Sequence, residues 1–244
     1  MILAAALAIG PAHADEKADA LINEVRAATA ATQSLSGDFT FSQLVAGAET
    51  RFNGTFALKR PNMAHVEIGE PLAQTVVSDG KNTWVLFRGA VTGNGTPQYQ
   101  YMKRPADPTG FSLAIFAPIT LFFHPGYLGA APPVAKGAKP PVITTKLENR
   151  ETIEGTEYQV IEVTQDKPIP NTIRFYVGAD KRVARMKVDR KGSSPATLTY
   201  ILKNVKVNPA LTERDFAFTP PKDAKQLPTP APRPEAAPQG KPGK

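Results

Sequence analysis

The chain has 244 residues, 41% of them hydrophobic, a formal net charge of +7 and no cysteine. That excludes a disulfide-held fold and a lipid-modified N-terminal cysteine, and it leaves enough apolar material for one good-sized core in a single domain. The charge does not point to nucleic acid: residues 222–244 hold five bases against two acids, three of the seven charges, and the other four are spread with no Lys/Arg cluster.

The first residues read as an export signal. Residues 2–10 form an apolar run of signal-peptide length, too short to span a membrane, and Ala12-His13-Ala14 fits a small-residue cleavage site. Residues 1–14 are therefore expected to be a signal peptide and Asp15 the first mature residue. Such a peptide ordinarily opens with Lys or Arg, and here only Met1 precedes the run, so the expected start lies upstream. The mature protein is expected to be exported, soluble and monomeric.

Next comes a helical period over residues 15–32, with Leu21, Ile22, Val25 and Ala28 on one stripe and Asp15, Glu16 and Asp19 in the first turn, where they suit the helix dipole. After Ser36-Gly37 the period changes to two. Phe39 and Phe41 alternate with polar residues, and so do Phe52, Gly54, Phe56 and Leu58, which is the pattern of half-buried strands. Further strands are expected at 64–68, 74–78, 83–87 and 98–103, with Asp79-Gly80 as a hairpin signal, and a second series at 142–148, 157–164, 172–177, 182–189 and 197–207. The fold class expected is mainly β (α+β): an open antiparallel half-barrel of about ten or eleven strands with an N-terminal helix.

Between the two series, residues 109–124 carry no charge and show no alternation, and Pro118 divides them into two short helical pieces. Periodicity leaves two readings open, a core helix plugging the barrel and a hydrophobic lid over a cavity. A charge-free segment with a central Pro suits a hinge, so the expectation is a lid with Phe111, Ile115, Phe116, Ile119 and Phe122 on its apolar face. Residues 130–141, rich in Pro, Ala and Gly, read as a connector, and 222–244 as an extended, mobile polyproline-like tail.

No catalytic constellation is present. His65 and His124 have no second ligand at metal spacing, and there is no nucleophile elbow, phosphate loop or His-Glu-x-x-His, so neither an enzyme nor a cofactor is expected. One charge stands out by parity: Arg60 shares a strand face with Phe52, Phe56 and Leu58, and Pro61 ends the strand directly after it. It is either a rim arginine snorkelling to water or a donor to polar groups of whatever covers that face.

The order of a helix, Phe-Thr-Phe-Ser-Gln, Gly-Thr-Phe-Ala-Leu-Lys-Arg-Pro-Asn (54–62), Val-Ser-Asp-Gly-Lys-Asn-Thr-Trp-Val (77–85) and Asp-Phe-Ala-Phe-Thr-Pro-Pro (215–221) resembles the periplasmic outer-membrane lipoprotein carrier family, LolA. The resemblance runs from about Asp19 to Pro221 and implies a binding domain over residues 15–221: an unclosed barrel whose apolar concavity, covered by helices, shelters lipoprotein acyl chains or lipid in the periplasm. It also implies an inner-membrane donor, an outer-membrane acceptor, and the role of lid latch for Arg60. Phe39, Phe41, Phe52, Phe56, Leu58 and Trp84 are expected to line the cavity with the lid residues. An envelope sensory or scaffolding module that uses the same fold to bind a lipidated partner is the alternative.

Overall fold

A computed structural model describes residues 15–88, 96–103, 122, 128, 142–166, 170–192 and 194–228. Helix α1, Glu16–Ala31, begins where expected: the Asp15 carboxylate caps it by accepting the Lys17 N–H (3.1 Å), and Thr32 ends it. Ala18, Leu21, Ile22 and Val25, spaced as one helical stripe, are buried.

Among the described residues, thirteen strands form one sheet. The strands are β1 Ser34–Val45, β2 Ala48–Lys59, β3 Met63–Ile68, β4 Gln74–Asp79, β5 Thr83–Phe87, β6 Gln98–Met102, β7 Ile143–Leu147, β8 Glu151–Ile153, β9 Thr156–Gln165, β10 Asn171–Val177, β11 Val183–Arg190, β12 Ala196–Val207 and β13 Lys225–Gln226. Their order across the sheet is β13-β6-β5-β4-β3-β2-β1-β12-β11-β10-β9-β7, with β8 on β9, and every pair is antiparallel except β13 on β6. The sheet is not closed into a barrel: β6 lies near one end of this order and β7 at the other.

Register fixes the faces. Phe39 lies opposite Gly54 and Leu202, and Phe41 opposite Phe52 and Tyr200, so the two longest hairpin strands and β12 send their aromatic residues to one side. That side carries the main core: Phe39, Phe41, Phe52, Phe56, Leu58, Val66, Ile68, Val76 and Val85 from one half of the sheet, Ile161, Phe175, Met186, Leu198 and Tyr200 from the other, with Leu21, Ile22 and Val25 of α1 laid over them. Gly54 is required here, because a Cβ would overlap the Glu67 carbonyl and the Phe39 ring that crosses above it.

A second cover lies on the opposite, outer face. After β12 the chain crosses β3 and β4 with a 3-10 turn, Glu213–Phe216, that buries Phe216 completely, and it ends on the edge of β6 as β13. The residues expected to begin a free tail at 222 are thus held on the sheet as far as Leu227, whose N–H donates to the Tyr99 carbonyl (2.8 Å). The expected signal peptide, the connector at 130–141, the tail beyond 228 and most of the expected lid lie outside the described residues.

Candidate functional site

The candidate site is the concave face and what closes it. Of the residues expected to line it, Phe39, Phe41, Phe52, Phe56 and Leu58 fall in one buried cluster with Phe122. Phe41 stacks on Phe52, ring centroids 5.8 Å apart, and tilts against Tyr200 at 4.7 Å. Phe111, Ile115, Phe116 and Ile119 lie outside the described residues.

Trp84 corrects the expectation. Following the register from Leu58 to Ala64, Ser78 and Thr83 puts Thr83 and Val85 on the concave side, and Trp84, between them, points outward. There it stacks on Phe218 of the C-terminal segment at 5.7 Å and meets Tyr101 at the same distance. Trp84 therefore belongs to the outer cover and not to the concave lining.

Arg60 joins three elements. Its Nε donates to the Thr32 carbonyl (2.9 Å), and its Nη2 donates to the carbonyls of Thr29 (3.1 Å) and Phe122 (2.7 Å). Thr29 and Thr32 close the last turn of α1, where the Thr29 carbonyl also accepts the Thr32 N–H (3.2 Å) and a cation is favoured by the helix dipole. The guanidinium carbon also stands 4.9 Å from the centre of the Phe122 ring. Burial pushes the arginine pKa down from its ordinary value, yet guanidinium stays charged at any physiological pH.

Two further arginines share in this arrangement. Arg26, on the flank of the α1 stripe, donates through Nη2 to the carbonyl of Leu128, a residue buried in the same core. From the β10–β11 turn, Arg182 donates to the Thr32 hydroxyl (3.2 Å), and its neighbour Lys181 pairs with Glu24 of α1 at 2.6 Å. The end of α1 is thus tied to β2 on one side and to the β10–β11 turn on the other. Sequence patterning offers no signal for Arg26 or Arg182, whose acceptors lie 102 and 150 residues away.

The lining is apolar, and burial pushes the Tyr200 phenol pKa up, so that side chain stays neutral. Among the described residues no group of three His, Asp or Glu side chains is placed to hold a metal, and no helix is long and apolar enough to cross a membrane. The chemistry such a surface offers is non-directional shelter for apolar chains.

Residues 30–89, which include β1 to β5 and Arg60, match the family model of the outer membrane lipoprotein carrier protein LolA. No curated protein matches the chain in sequence. Among solved structures, an uncharacterized conserved protein from Thermus thermophilus shares the fold at 14% identity and a TM-score of 0.50, over 86% of this chain and 98% of that one. A LolA superfamily protein from Nitrosomonas europaea is similar at 14% identity and 0.42, over 82% and 97% of the two chains. The Mycobacterium tuberculosis lipoprotein LppX is similar at 12% identity and 0.46, over 82% and 99%. Over the strands of this match, which build part of the concave face, the chain is similar to the LolA family.

Proposed function

We propose that this protein is a periplasmic carrier that shelters the acyl chains of a lipoprotein or lipid on its concave face during transit to the outer membrane. The observation that carries the reading is the mode of closure: the cover of an apolar sheet face is bonded at its margin by side chains, among them Arg60, which reaches both α1 and Phe122. Exposing acyl chains to water costs about 0.8 kcal/mol per methylene, so a carried lipid must exchange that exposure for an apolar surface. The Phe-rich face supplies one, and an acyl chain entering there takes over contacts now made by Phe122, Leu128 and the α1 stripe.

In this reading Arg60 is the latch. Charge-assisted bonds contribute roughly 1.5–3 kcal/mol each, so the bonds made by Arg60 favour the closed, empty state and must break for cargo to enter. Their re-formation then assists cargo exit. Energy for loading comes from a donor at the inner membrane, and an acceptor at the outer membrane takes the cargo. The test is native mass spectrometry of the protein purified from its own envelope. The expected result is bound acyl lipid or lipoprotein; protein that emerges bare and takes up no fluorescent fatty acid would refute the carrier reading.

A further inference from the structure

One polar side chain is buried in the concave face without a partner. The register runs in a single row from Phe39 through Gly54, Ile68 and Gln74 to Phe87, across β1 to β5. Residues directly opposite one another in antiparallel strands point to the same side, so Gln74 faces where Phe39 and Ile68 face. It is only 7% exposed, held between Ile68 and Phe87 across the strands and next to Val76 along its own face of β4. Its Oε1 is shut off from solvent and accepts no hydrogen bond among the described residues. By contrast, Ser78, on the same strand and the same face, donates its hydroxyl to the Asn62 carbonyl at 3.1 Å.

A buried carbonyl with no donor weakens a fold, and a leucine would fill the same position without that cost. A donor that arrives with a ligand accounts for the glutamine. The surroundings say which kind of donor. The concave positions of β3 to β6 carry no charged side chain, so a carboxylate or phosphate placed there would lose its water without compensation. What fits is a neutral N–H held close to an acyl chain. An amide linkage has that donor directly after the acyl carbonyl, and an ester linkage has none.

We propose that Gln74 reads how an acyl chain is joined to the rest of its lipid: Oε1 accepts the N–H of an amide-linked chain, so amide-linked chains bind in preference to ester-linked ones. On the carrier reading, which this assignment presupposes, the apolar face gains one directional contact. Gln74 then sets specificity, whereas Arg60 acts at the margin of the cover.

The test is displacement of a bound fluorescent fatty acid by two competitors of equal length, N-methyldodecanamide and methyl dodecanoate. The amide is the more strongly hydrated of the two, so a face that offers it no bond favours the ester. The unmodified protein is expected to bind the amide at least about fivefold more tightly, the equivalent of one net hydrogen bond. In Gln74→Leu, and in the unbranched Gln74→Met, that preference is expected to disappear or reverse. Equal affinity for the two competitors in the unmodified protein, or tighter binding of the ester, would overturn the proposal, and so would an amide preference that survives both substitutions. The first comparison needs no substitution and decides the matter even where neither variant folds. Protein that takes up no fluorescent fatty acid at all fails the carrier reading and this assignment together, whereas uptake without amide preference fails the assignment alone.

Discussion

The sheet is covered on both faces, and the two covers are attached by different chemistry. Over the concave face α1 lays an apolar stripe, and the bonds around its end come from guanidinium groups on other elements: Arg60 to Thr29, Thr32 and Phe122, and Arg182 to Thr32. Over the outer face the C-terminal segment is attached through its backbone, from Asn208 N–H on the Ser34 carbonyl to β13 on β6, with Phe216 sealed beneath it. His65 adds a bond from Nδ1–H to the Asp215 carbonyl at 2.8 Å. On the proposed reading the cover attached by side chains at its margin exchanges for ligand, whereas the one attached through the backbone at both ends is part of the scaffold. The difference predicts that damage to the outer cover lowers stability and damage to the concave cover alters ligand traffic.

The largest effect is expected at Phe216. Its replacement by alanine removes a fully buried ring and should lower unfolding free energy by roughly 3–5 kcal/mol in denaturant titration, with acyl uptake per folded molecule unchanged. Loss of uptake at full stability would erase the distinction between the covers. Trp84→Leu is expected to cost less, about 1–3 kcal/mol, since Trp84 is only half-buried against Phe218 and Tyr101. It too should leave uptake intact, and a large drop in affinity would return Trp84 to the ligand surface.

The smallest effect is expected at the start of α1. The Leu147 N–H, followed by that of Lys17, holds the Asp15 carboxyl below its ordinary value of 3.8. Because the folded value is the lower one, the stabilisation is present above 3.8 and is lost as pH falls through the folded value. The Leu147 amide resonance should therefore titrate with a midpoint below 3.8, and Asp15→Asn should abolish that titration. A midpoint at or above 3.8 would mean that the bond does not stabilise the fold.

Much of this arrangement is legible in the sequence because period and parity act locally. The α1 stripe and all eleven strands of five residues or more can be read from patterning. The three residues of β8 and the two of β13 are too short to show a period. Arg60 is legible because the strand leading into it carries Phe52, Phe56 and Leu58 on one face and Pro61 stops it at once. Trp84 is not, since its face depends on register passed through three strands and their turns. Arg26 and Arg182 are hidden for a related reason: their partners, 102 and 150 residues away, become neighbours only in the folded chain.

The latch proposed for Arg60 is tested by the rate at which loaded Arg60→Leu protein releases a fluorescent acyl ligand to acceptor vesicles. Leucine keeps apolar bulk, removes the donors to Thr29, Thr32 and Phe122, and adds apolar surface beside the concave face. The latch predicts uptake at least equal to that of the unmodified protein and release slowed about tenfold, the equivalent of one charge-assisted bond near the low end of its range. Uptake and release indistinguishable from those of the unmodified protein would contradict it.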